Sequence, residues 1–341
     1  MQDIAKWLSK YHSDGVNLGI KELIHYQGKT ALLNLSPRKT VQAKLAGAYL
    51  AKTKGRGMEF DEARHYQAGD DIRAIDWRVT ARTGKTHTKL YREEKERPVF
   101  VLTDLSSSMQ FGTQFLFKSV QAAHLSALIA WSARKRGDRI GGLVFNQHQH
   151  LECKPYTRQK AVLSLLNSMM KIQHGSQTLE QDRNTSQATG KGAGKGTGQR
   201  PNQNQEQITL ANACARLRRL AHPGSLIFIL SDFSQLDELA VQHIAQLSKH
   251  CEVIAHPISD PFEHQLPTVN MSQRVTLSDG LNRQQIVLGE KDTETQYSNQ
   301  HQAHFDNIEN TLKQCKAQVF PIDAGQPLEL QLARFLGSKS K

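Results

Sequence analysis

The sequence predicts an α/β protein. Its core is a mostly parallel sheet with helices on both faces, preceded by an N-terminal charged elaboration and extended at the C-terminus by a hairpin and helix. Three observations carry this. Short, wholly apolar runs such as Val99-Phe-Val-Leu-Thr103 and Ser225-Leu-Ile-Phe-Ile-Leu-Ser231 read as strands buried on both faces. Amphipathic helical patterns alternate with those runs. Two of the strand patterns run straight into an aspartate, Asp104 and Asp232.

Taken in order, Ile4, Trp7, Leu8 and Tyr11 share one helical face, a short opener. Residues 20–50 carry helical or mixed signals, and residues 54–97 are dense in charge of both signs. The chain is therefore divided into an N-terminal helical and charged segment, 1–97, and a sheet domain, 98–341. After Asp104 a helical pattern begins near Gln114, with Phe117, Val120, Ala123, Ala127 and Trp131 as its stripe. Arg134-Lys-Arg-Gly137 suits its C-terminal dipole and cap. Ile140 to Phe145 is a strand, and residues 159–172 a helix with Val162, Leu165, Leu166 and Met169 inward.

Residues 175–207 are rich in Gln, Gly, Asn and Thr and cannot bury enough apolar surface to offset chain entropy, so they read as a disordered insert. The Gly190–Gly198 stretch has neither the spacing of a phosphate-binding loop nor a strand before it. Order resumes with a helix over 209–221, the strand ending at Asp232, a helix over 235–249 and a strand from Cys251 to Ala255. Arg274–Ser278 and Arg283–Leu288 flank Asp279-Gly280, a hairpin signal. Tyr297, His301, Phe305, Ile308, Leu312 and Cys315 mark a long helix. Val319 to Ile322 gives a last strand, and Leu328 to Leu336 a final helix.

The 341 residues carry a net charge of +12, which favours anionic partners. None of the four cysteines forms a Cys-x-x-Cys pair, as expected of a reducing compartment. An early acid in Met1-Gln-Asp-Ile-Ala-Lys-Trp7 argues against a signal peptide, and no apolar run is long enough to span a membrane. A cytoplasmic location is expected.

Chemistry concentrates at Asp104-Leu-Ser-Ser-Ser-Met109. Ligands of open α/β sheets bind at the carboxyl ends of strands. Asp104, Ser106 and Ser108 alternate so that a turning loop can aim three oxygens at one ion. Oxygen-only ligation suits Mg²⁺, Mn²⁺ or Ca²⁺. The plainer reading of the same residues is a helix N-cap cluster. His148 and His150 alternate as zinc ligands can, without an evident third ligand.

Two segments together resemble a known family: Gly57-Met-Glu-Phe-Asp-Glu-Ala-Arg-His-Tyr-Gln-Ala-Gly-Asp-Asp-Ile-Arg-Ala-Ile-Asp-Trp77, continuing to Ala81-Arg82, and Asp104–Met109. Their pairing is similar to domain-of-unknown-function family 58, over roughly residues 20–260 less the insert 175–207. That resemblance implies a von Willebrand factor A-like domain with a metal-ion-dependent adhesion site. It assigns Asp104, Ser106 and Ser108 to a first loop and Asp232 to a second carboxylate position. The remaining hydroxyl falls on Thr209 or on Thr178. Thr209 is favoured because Ala211 to Leu217 continues as the expected helix. The charged segment reads as a salt-bridged platform built on Glu59, Arg64, Asp70, Asp71, Arg73, Asp76 and Arg82. It has a turn at Gly69-Asp70 and is expected to pack Trp77 and Tyr66 against the sheet domain.

The resemblance further implies a non-enzymatic interaction module. It would bind an acidic side chain of a protein partner through the metal and act with a MoxR-type AAA+ ATPase in assembling a client complex. The enzyme alternative is a Mg²⁺-dependent phosphohydrolase using Asp104. Ser106 stands where that chemistry wants a second carboxylate. The basic balance also allows nucleic-acid binding. Arg216-Leu-Arg-Arg219 is a local basic cluster, but neither an aromatic-basic platform nor a helix-turn-helix signature accompanies it, so no specific nucleic acid is expected.

Overall fold

The structure is a computed structural model. It describes residues 4–35, 58–93, 96–188, 207–267, 273–278, 283–289 and 291–337. The chain forms two compact units, Met1–Leu35 with Pro98–Lys341, and Ser36–Arg97.

The smaller unit holds an antiparallel hairpin of β1 (Met58–His65) and β2 (His87–Glu93). Between its strands lies a seven-residue helix, Trp77–Thr83. Asp76 caps that helix by accepting from the backbone N–H groups of Arg78 and Val79, and Gly84 ends it at φ +71. The expected turn at Gly69-Asp70 is present, with Gly69 at φ +102 and Asp70 accepting from Gln67 N and pairing with Arg64 at 2.7 Å. Trp77, at the start of the short helix, is 68% exposed.

In the larger unit β3 (Pro98–Asp104), β4 (Arg139–Phe145), β5 (His150–Tyr156), β6 (Leu226–Ser231), β7 (Glu252–Ser259), β10 (Gln318–Val319) and β11 (Ile322–Asp323) form one sheet. Its order is β10-β7-β6-β3-β4-β5, with β11 also on β7. The β4–β5 pair is antiparallel and every other pair is parallel. The expected hairpin is the separate antiparallel pair β8 (Gln273–Ser278) and β9 (Arg283–Leu288). Its turn, Asp279-Gly280, falls outside the described residues.

Alternation along the strands feeds two cores, one per sheet face. Val99 and Val101 of β3 and Phe228 and Leu230 of β6 join one of them. The helix Lys118–Arg136 and the inner face of the helix Gln159–Ala188 complete it. Phe100, Leu102, Ile227 and Ile229 join the other, with the helices Leu210–Leu220, Glu238–His250 and Lys291–Gln314. Helices therefore cover both faces, as the sequence predicts. Packing is tight at β4. A Cβ on Gly142 would lie 2.5 Å from the Val101 carbonyl oxygen, so only glycine fits there.

Three boundaries differ from expectation. The first 35 residues belong to the sheet unit, not to the charged segment. Their contacts are long-range: Trp131 Nε1 donates to Leu23 O at 3.1 Å, Gln173 bonds both Leu18 N and Val16 O, and Tyr26 meets His124 at 3.0 Å. The helix expected near Gln114 begins at Lys118, because residues 111–117 are drawn into a loop by Phe117 N on Gly15 O and Lys118 N on Phe111 O. Finally, the helix Gln159–Ala188 runs through the first part of the expected disordered insert. A helix already nucleated on packed residues extends by one hydrogen bond per residue, even through polar sequence. The rest of the insert, 189–206, lies outside the described residues.

Among the described residues no helix is long and apolar enough to cross a membrane.

Candidate functional site at the ends of the central strands

Chain order reverses between β3 and β6: from β3 the chain moves to β4 and β5, then returns to β3's other edge with β6. Such a reversal opens a crevice at the carboxyl ends of the two strands. Asp104 ends β3 and Asp232 follows β6, so the topology alone brings both carboxylates to this crevice.

Local chemistry then fixes each loop. Asp104 Oδ1 accepts from Ser106 N at 2.9 Å, turning the chain into the short 3-10 helix Ser107–Met109. Its Oδ2 accepts from Ser231 Oγ at 2.6 Å, across the β3–β6 boundary. Asp232 Oδ1 accepts from Ser234 N at 3.0 Å. Phe233 between them takes φ +56, a left-handed conformation costly for a bulky residue, and its ring is buried. The strained turn directs Asp232 and Ser234 back over the strand end. Ser108 Oγ lies 3.3 Å from Ser106 Oγ and accepts from Ser234 Oγ at 3.2 Å, so a chain of three hydroxyls links the two loops.

A cation is built in beside them. Lys118, the first residue of the helix Lys118–Arg136, donates to Asp232 Oδ2 at 3.0 Å and to Glu263 Oε1 at 2.6 Å. Burial and the neighbouring Asp232 charge push the Asp104 carboxyl up to about 6, against the hydrogen bonds from Ser231 and Ser106. Burial also opposes the Asp232 charge, but Lys118 and the Ser234 hydrogen bonds outweigh it and hold this carboxyl below its ordinary range. Of the two acids, Asp232 carries the compensated charge and Asp104 the uncompensated one.

Four of the five residues assigned from sequence, Asp104, Ser106, Ser108 and Asp232, converge here. Thr209 is not among their hydrogen-bonded partners. It is the N-cap of the helix Leu210–Leu220, where its hydroxyl donates to Asn212 Oδ1 at 2.6 Å and accepts from Asn212 N at 3.3 Å. Its loop is nonetheless adjacent, since Gln147 bonds both Ile208 N and Ser107 N. The rival Thr178 lies within the helix Gln159–Ala188, not in a loop. Sequence reasoning missed Ser231, Ser234, Lys118 and Glu263. Ser234 had a signal: Asp232-Phe-Ser234 repeats the spacing of Asp104-Leu-Ser106.

The donor set fits a hard divalent cation. It is all oxygen, and such an ion would offset both the burial and the Asp232 charge that raise Asp104. Asp104, Ser106, Ser108 and Asp232 could hold it. His148 sits in the turn before β5, so the two histidines do not alternate along a strand. Among the described residues no three His, Cys, Asp or Glu side chains gather as a ligand set.

The sequence pattern of the family described as "Protein of unknown function DUF58" matches residues 62–307. An uncharacterized protein of Mycobacterium bovis is 25% identical over 316 residues, covering 91% of this chain and 88% of its own. Two uncharacterized proteins of Mycobacterium tuberculosis match to the same degree. No solved structure matches the chain.

Proposed function

Because the chain belongs to the family described as "Protein of unknown function DUF58", we propose that it is a metal-dependent protein-interaction module of the von Willebrand factor A type. The observation that carries this reading is the meeting of Asp104, Ser106, Ser108 and Asp232 at the β3–β6 crevice, from two loops separated by over a hundred residues. In this reading Mg²⁺, or Mn²⁺ or Ca²⁺ in its place, is held by hydroxyls and by carboxylates of which one is already compensated by Lys118. Such an ion remains underneutralised and favours an anionic ligand from outside. The outside ligand is an acidic side chain of a protein partner. The resemblance described above makes a MoxR-type AAA+ ATPase the first partner to test, with the chain as its adaptor in assembling a client complex.

The residues give little support to hydrolysis. Asp104 has both oxygens engaged by Ser106 and Ser231, and the position two residues on is a serine. The test is capture of a MoxR-type AAA+ ATPase from the same organism by the purified chain in Mg²⁺. Capture should be lost in EDTA and in Asp104→Ala. Capture indifferent to both refutes the mechanism.

A further inference from the structure

Lys118 stands where a lysine is electrostatically out of place. It opens a 19-residue helix, whose N-terminus carries partial positive charge, and it is 2% exposed. A buried ammonium there needs strong compensation. It gets this from two acids on different loops, Asp232 at 3.0 Å and Glu263 at 2.6 Å, with the Phe111 ring centroid 6.0 Å away.

Glu263 is itself held in place. It rides on the short helix Pro261–His264, and its Oε2 accepts from Asp260 N at 2.9 Å. Asp260 is fully buried and accepts from Phe262 N and from Thr113 N, both at 2.9 Å. Thr113 belongs to the loop that leaves Ser108 and enters Lys118. The serine loop, the ammonium and its second acid are thus one connected assembly.

We propose that Lys118 is a positioning residue that serves as an internal counter-cation: its ammonium, shared between Asp232 and Glu263, sets how tightly the crevice holds a divalent ion. The inference rests on the metal-binding reading above and adds its regulation. An ion joining Asp104 and Asp232 meets two carboxylates and one ammonium. Without Lys118 it meets two carboxylates and no ammonium, and binds more tightly. Without the charge of Glu263, the ammonium leans wholly on Asp232 and binding weakens.

The experiment is titration calorimetry of MnCl₂ into the full chain, comparing wild type, Lys118→Met, Glu263→Gln and Asp104→Asn. Lys118→Met is expected to bind about tenfold more tightly or better, and Glu263→Gln more weakly. A purely structural lysine would shift both variants the same way or neither. Equal or weaker binding by Lys118→Met, with binding lost in Asp104→Asn, overturns the role of Lys118 while the metal reading stands. No Mn²⁺ binding by any form overturns both. Should Lys118→Met fail to fold, Glu263→Gln decides alone: weaker binding supports the proposal, and equal or tighter binding overturns it.

Discussion

Asp104 and Asp232 close the same turn twice. Each lies at a strand end and accepts, through Oδ1, the backbone N–H of the serine two residues on, Ser106 at 2.9 Å and Ser234 at 3.0 Å. The twin turns aim two carboxylates at one crevice, where their environments diverge. Asp232 has Lys118, while Asp104 has only neutral donors and its neighbour's charge.

The first prediction follows from that divergence. A carboxyl raised from 3.8 to about 6 on folding adds stability below the lower value and loses it as pH rises through the higher. At pH 7.5 without divalent ion, the buried Asp104 charge therefore destabilises the fold. Asp104→Asn keeps the turn and removes the charge, so the metal-free variant should melt above wild type at pH 7.5. The gap should close towards pH 4. Thermal melts in EDTA across that range check it, and a variant no more stable at pH 7.5 contradicts it.

His256 predicts the opposite sign. It lies in β7, fully buried, stacked on Phe228 at 6.0 Å with Nδ1 2.9 Å from Phe320 O. Burial lowers it from 6.5 to about 4, against that hydrogen bond. A depressed folded value contributes stability present above 6.5 and lost as pH falls towards 4, up to about 3 kcal/mol. Urea midpoints of His256→Gln should fall less over this interval than those of wild type.

Much of this site could be read from sequence, and the reason is local. Asp104, Ser106, Ser108 and Asp232 lie within a few residues of apolar strands, and a strand end dictates what its loop can reach. Lys118 and Glu263 carry no such mark, since their partners lie 114 and 145 residues away. A hydroxyl before a helix serves as an N-cap as readily as a ligand, and Thr209 caps the helix Leu210–Leu220. The sheet and its flanking helices were legible from periodicity, which reports burial directly. The placement of residues 4–35 was not, because it depends on single long-range contacts such as Trp131 to Leu23.

That contact gives a third prediction. Trp131→Phe removes the indole donor to Leu23 O and should cost about 1 kcal/mol. The loss should concentrate in faster hydrogen exchange over residues 15–30, with exchange in β3 and β6 unchanged. Uniformly faster exchange would contradict a local docking role.

The close approach at β4 gives a fourth. Gly142→Ala places a methyl 2.5 Å from Val101 O and 3.0 Å from Leu165 Cδ1 and should destabilise the sheet by at least about 2 kcal/mol. Gly28→Ala, with nothing within 4 Å of its added methyl, should change the urea midpoint little. Equal effects at the two positions would contradict this packing.

The most direct measurement is anomalous diffraction from crystals grown in MnCl₂. A manganese peak within about 2.2 Å of the Ser106 and Ser108 hydroxyl oxygens, with Asp104 and Asp232 around it, is the predicted result. Well-ordered loops with no peak between them, and Lys118 alone on Asp232, would contradict the account at its centre.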